Sequence, residues 1–86
     1  MHEFLVGVDK GLQVGVLSFM DESGNLVSLG HADGRGSVSY FLGGDKLEFP
    51  NRSEVPIVLV RQAVKEFLTF GGQRPTCIQW QEPEYW

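Results

Sequence analysis

The sequence predicts an α+β fold: an antiparallel sheet of five to six strands with one helix packed across one face, in the order β-β-β-β-β-α-β. Three observations carry that reading. Apolar residues alternate with period two through the first half of the chain, switch to a helical period after Pro56, and return to period two after Gly71-Gly72. Eleven Gly against four Pro suit many tight turns between strands. The 86 residues are 42% hydrophobic with six Phe, two Tyr and two Trp, enough for one core and one domain spanning residues 1–86, and too apolar for disorder.

Phe4 to Val8 and Leu12 to Met20 read as two strands joined by a tight turn, with Gly11 expected to supply the positive φ. Alternation is clean at Leu12, Val14 and Val16 and breaks at Leu17, which requires either a bulge or cover on both faces. Asp21 to Asn25 is a second turn and Leu26 to Leu29 a short strand. His31 to Gly36 reads as a surface loop. Ser37 to Leu42 and Lys46 to Phe49 form the clearest hairpin, turned by Gly43-Gly44-Asp45, with Val38, Tyr40, Leu47 and Phe49 facing in. Pro50 to Glu54 breaks the strand pattern.

From Pro56, which a first helical turn tolerates, Ile57, Val60, Ala63, Val64, Phe67 and Leu68 make an apolar stripe, with Arg61, Gln62, Lys65 and Glu66 outside. Gly71-Gly72 stops the helix. Thr76 to Gln81 is the last strand, with Ile78 and Trp80 on one face and Trp80 under the helix. The expected core joins Val60, Val64, Phe67, Leu68, Ile78 and Trp80 to the inward residues of the hairpin. A single helix cannot cover both faces of such a sheet, so the other face is expected to be solvated, to curl, or to meet a partner.

Seven Lys+Arg against eleven Asp+Glu give a formal charge of −4. The basic residues are scattered, whereas a phosphate-backbone binder clusters them, so nucleic acid is not an expected direct partner. The single Cys77 cannot form an internal disulfide, the first apolar run is too short for a signal peptide, and no apolar span reaches membrane length. These features point to the cytoplasm and to no membrane association.

Chemistry is thin. His2 and His31 lie at no metal-ligand spacing from Cys77, so no metal and no cofactor is expected. His31, Asp33 and a Ser make a triad only on paper, without a strand–Ser–helix elbow. Cys77 reads as a packed strand residue. Gly34-Arg35-Gly36 and Gly43-Gly44 lack the spacing of a phosphate loop. No catalytic set emerges, and the chain is expected not to be an enzyme. At the C-terminal end Tyr85 and Trp86 stand beside Glu82, Pro83 and Glu84, a composition suited to packing over a sheet edge or to anchoring a protein partner.

The residues Glu48-Phe49-Pro50, Val55-Pro56, Ala63-Val64-Lys65-Glu66-Phe67-Leu68, Gly71-Gly72-Gln73-Arg74-Pro75 and Ile78-Gln79-Trp80 carry a resemblance. From about Val38 to Trp80 the chain resembles the first-numbered immunity protein family of bacterial polymorphic toxin systems. That resemblance implies a small cytoplasmic protein encoded beside a secreted toxin, often a nucleic-acid deaminase or nuclease, that protects the producing cell by binding the toxin domain. A structural or adaptor module, or a small hydrolase, is the alternative. Toxins that act on nucleic acid carry positive charge around their clefts, so an inhibitor gains encounter rate by presenting the opposite sign. The candidate partner-binding residues are Asp33 and Arg35 in the glycine-rich loop, Asp45 in the hairpin turn, and Glu82, Glu84, Tyr85 and Trp86. An open sheet face or edge also allows a homodimer.

Overall fold

The computed structural model describes residues 3–30, 36–42 and 44–83. Its elements are β1 (Glu3–Asp9), β2 (Val14–Asp21), β3 (Gly24–Leu29), β4 (Val38–Leu42), β5 (Asp45–Phe49), β6 (Val55–Pro56), α1 (Ile57–Thr69) and β7 (Gln79–Gln81). This is the expected antiparallel sheet and single helix, with the strands divided between two sheets. The larger has the order β1-β2-β3-β7, with the short β6 also paired to β2; β4 and β5 form a separate hairpin.

β1 and β2 pair one to one from Glu3 opposite Met20 to Asp9 opposite Val14, so no bulge interrupts them. Alternation fails at Leu17 because β2 is covered on both faces. Val16 packs with Val27 against Val38, Tyr40 and Phe49, with Leu47 beside them. Leu17, pointing the other way, packs with Val55, Val60, Ala63 and Ile78 under the helix. The second face, expected to be solvated, to curl or to meet a partner, is covered by the chain's own β4–β5 hairpin. The hairpin's inward residues build this second core and do not join the helix–sheet core, because successive strand residues face opposite sides.

On the helix side, Phe67 stacks on Phe4 with ring centroids 4.4 Å apart. Phe19 meets both Phe67 and Trp80 edge-on. Trp80 lies under the helix as expected, its indole N–H donating to the Pro75 carbonyl at 2.9 Å. Leu68 does not join this core and is 73% exposed. The buried stripe centres on Val60, Ala63 and Phe67, and one further residue turns about 100° away from it. Gly15 lets the helix settle directly on β2: a Cβ there would lie 2.5 Å from the Gly7 carbonyl oxygen and 2.9 Å from Val60 Cγ2.

Local chemistry sets the element ends. In the β1–β2 turn the left-handed residue is Gln13, φ 58°, and not Gly11. Its side-chain amide donates to the Lys10 carbonyl at 2.6 Å, and Leu12 sits in this turn, 53% exposed. Pro56 closes β6 as the residue before the helix, with ψ 144°. The helix stops where Gly72 N–H donates to the Phe67 carbonyl at 2.8 Å and Gly71 takes φ 69°, a Schellman closure. The last strand is only Gln79–Gln81, because the amides of Thr76 and Cys77 donate to the Glu66 carboxylate at 2.7 and 3.2 Å instead of to a neighbouring strand.

Candidate functional site

Asp45 is exposed at the start of β5, where its pairing with Leu42 closes the hairpin. Glu82 is exposed just after β7 and lines a polar hollow of about 450 Å³ with Ser23, Gly24, Asn25, Leu26, Arg74 and Pro83. Asp45 does not line that hollow. Asp33, Arg35, Glu84, Tyr85 and Trp86 lie outside the described residues, as does His31 of the paper triad. The structure thus places two of the expected residues at separate surface points.

The position of Glu82 is set by a buried polar node that the sequence did not reveal. Ser28 Oγ accepts the Leu17 N–H at 3.0 Å and donates to the Ser53 carbonyl at 2.6 Å. Ser53 Oγ in turn donates to the Pro50 carbonyl at 2.6 Å. The Gln81 amide donates to the carbonyls of Ser28 and Asn51 at 3.1 and 3.2 Å. Gly30 N–H donates to the Arg52 carbonyl at 2.6 Å, and a Cβ on Gly30 would lie 2.2 Å from the Glu54 carbonyl oxygen. These bonds tie β3, the Pro50–Glu54 segment and the end of β7 into one rigid point. A Ser within the run Leu26-Val27-Ser28-Leu29 was the available signal, but its partners are 11 and 25 residues away.

Two further hollows flank the helix. An apolar one of about 320 Å³ is walled by Val14, Leu29, Val55, Pro56, Leu59 and Ile78, with Glu54 on its lining. Glu54 accepts the Tyr40 hydroxyl at 2.5 Å, linking that wall to the hairpin. A broad one, beside the helix end, is lined by Lys65, Glu66, Thr69, Phe70 and Cys77. Hydrogen bonds from the Thr76 hydroxyl and amide, then from Cys77, hold the Glu66 carboxyl below its ordinary range. Burial, followed by the neighbouring Glu66, pushes the Cys77 thiol up, away from the thiolate that nucleophilic chemistry requires. Arg74 is exposed and lines the polar hollow with Glu82.

A family model described as Immunity protein Imm1 matches residues 1–82. The match extends the resemblance seen from Val38 to Trp80 back through the N-terminal hairpin. No curated protein shows significant similarity to the chain. Among the described residues, no helix is long and apolar enough to cross a membrane.

Proposed function

The chain belongs to the Imm1 family of immunity proteins, and from that premise we propose that it binds and neutralises a cognate toxin domain acting on nucleic acid, a deaminase or nuclease, in the cytoplasm of the producing cell. The family match over residues 1–82 carries this reading. Inhibition by binding needs no catalytic group in the inhibitor, only a surface complementary to the toxin.

The exposed carboxylates Asp45 and Glu82, with Asp33 and Glu84, supply negative charge for a basic cleft. Turns can enter a cleft that a paired strand cannot. Arg35, Tyr85 and Trp86 complete the proposed contact set, the aromatics as anchors. Co-expression with the toxin domain encoded beside the gene tests the function. The expected outcome is rescue of growth and copurification of the two chains as a complex. Growth arrest despite abundant folded chain, with no copurification, would dispose of the reading.

A further inference from the structure

The outer face of α1 carries charge of the opposite sign to the molecule as a whole. Val58, Arg61, Lys65 and Leu68 recur at i, i+3, i+7 and i+10, which places them on one stripe. Val58 is 65% and Leu68 73% exposed. Glu66 is the helix's one carboxylate, and it is occupied at the side by Thr76 and Cys77. Just past the helix Phe70 is 59% exposed; it lines the broad hollow with Lys65 and a smaller one, of about 220 Å³, with Gln73, Arg74 and Thr76. Arg61 and Lys65 thus lie between Val58 and Leu68 on this stripe, with Phe70 and Arg74 lining a hollow past the helix end, on a chain whose net charge is −4.

From this placement we propose that the outer face of α1 and its C-terminal end form a second toxin-binding surface, taking an apolar groove flanked by carboxylates. The proposal rests on the immunity reading and adds the surface and the chemistry it recognises. Val58 and Leu68 stand about 15 Å apart along the axis, so the groove must accept two apolar anchors at that spacing with acidic groups between them. A basic cleft would repel this face. The helix therefore docks on a part of the toxin away from the phosphate-binding cleft, while the carboxylates on other elements serve the cleft.

A second copy of the chain fits poorly. Two-fold antiparallel packing of the stripe would set Val58 against Leu68 but Arg61 against Lys65, bringing four cations together. An anionic membrane matches the cations, but only Val58, Leu68 and Phe70 would enter it, a small apolar area for stable attachment.

The test is titration of the cognate toxin domain with the full chain, its Arg61→Glu/Lys65→Glu variant and its Leu68→Ser variant, at low and high salt. All three positions are exposed, so melting temperatures should stay within a degree or two. Charge reversal is expected to weaken binding at least about tenfold at low salt and less at high salt, and Leu68→Ser about tenfold. If the unaltered chain binds while both variants stay within about twofold of it, this surface is overturned and the immunity reading stands. If the unaltered chain does not bind, both fall together. Concentration-dependent dimers of the chain alone, or binding to anionic phospholipid vesicles, that disappear with Arg61→Glu/Lys65→Glu would reassign the face and overturn the proposal.

Discussion

Ser28 occupies the point where β2 changes partners. Val14 and Gly15 pair with β6, and Ser18 onward pair with β3. Between them the Leu17 N–H is satisfied by a side-chain oxygen. Ser28→Ala would leave that buried N–H and the Ser53 carbonyl without their partner, at a cost of about 2–4 kcal/mol. Urea denaturation should show the loss as a lower midpoint with an unchanged slope. Two nearby glycines are equally particular, since at Gly15 and Gly30 a Cβ would collide with backbone oxygen. By contrast, Phe41 is 75% exposed on the outer side of β4, opposite Lys46.

Two contacts add to the Val60 and Ala63 packing in holding α1 in place. The first is aromatic: Phe67 between Phe4 and Phe19. Phe67→Ala should cost about 3 kcal/mol, the low end for a core Phe because this ring is half-buried. A loss under about 1 kcal/mol in a denaturant melt would mean that the helix face is drawn wrongly. The second contact is the Glu66 carboxylate, which receives three hydrogen bonds from Thr76 and Cys77. Its folded pKa lies below the ordinary 4.5, and the unfolded chain recovers the ordinary value. The folded state therefore binds this proton less readily. The stabilisation is fully present above pH 4.5 and is lost as pH falls through the lower folded value. Glu66→Gln should lower the melting temperature at neutral pH, and the gap should close on acidification. A gap that persists unchanged at pH 3 would assign the effect to packing.

At the scale of the whole molecule, hairpin and helix lie on opposite faces of the five-stranded sheet. Asp45 of the hairpin and Arg61 and Lys65 of the helix thus carry exposed charge of opposite sign on elements that cover opposite faces. Neutralising Asp33, Glu82 and Glu84 together should slow association with the toxin and flatten its salt dependence, with the melting temperature nearly unchanged. Stopped-flow association at two salt concentrations measures both, and a rate indifferent to the substitutions removes the electrostatic account. The expectation of a homodimer drew on an uncovered sheet face. With β4 and β5 over that face, strand edges remain as its only basis.

Sequence by itself determined what depends on near neighbours. Period-two runs marked β1 to β5, the change of period after Pro56 marked α1, and Gly71-Gly72 marked its end, because side-chain direction and the left-handed closing residue are set within a few positions. The same locality made Asp45 and Glu82 legible as exposed carboxylates, and Arg61 and Lys65 as the outer side of the helix. Tertiary structure decided which face each strand covers, and with it the two cores, the burial of Leu17 on one side and Val16 on the other, and the exposure of Leu68. It also decided that Ser28 bridges Leu17 and Ser53. Each of these outcomes turns on a partner brought close by folding, and no periodicity in a chain encodes which distant segment will supply it.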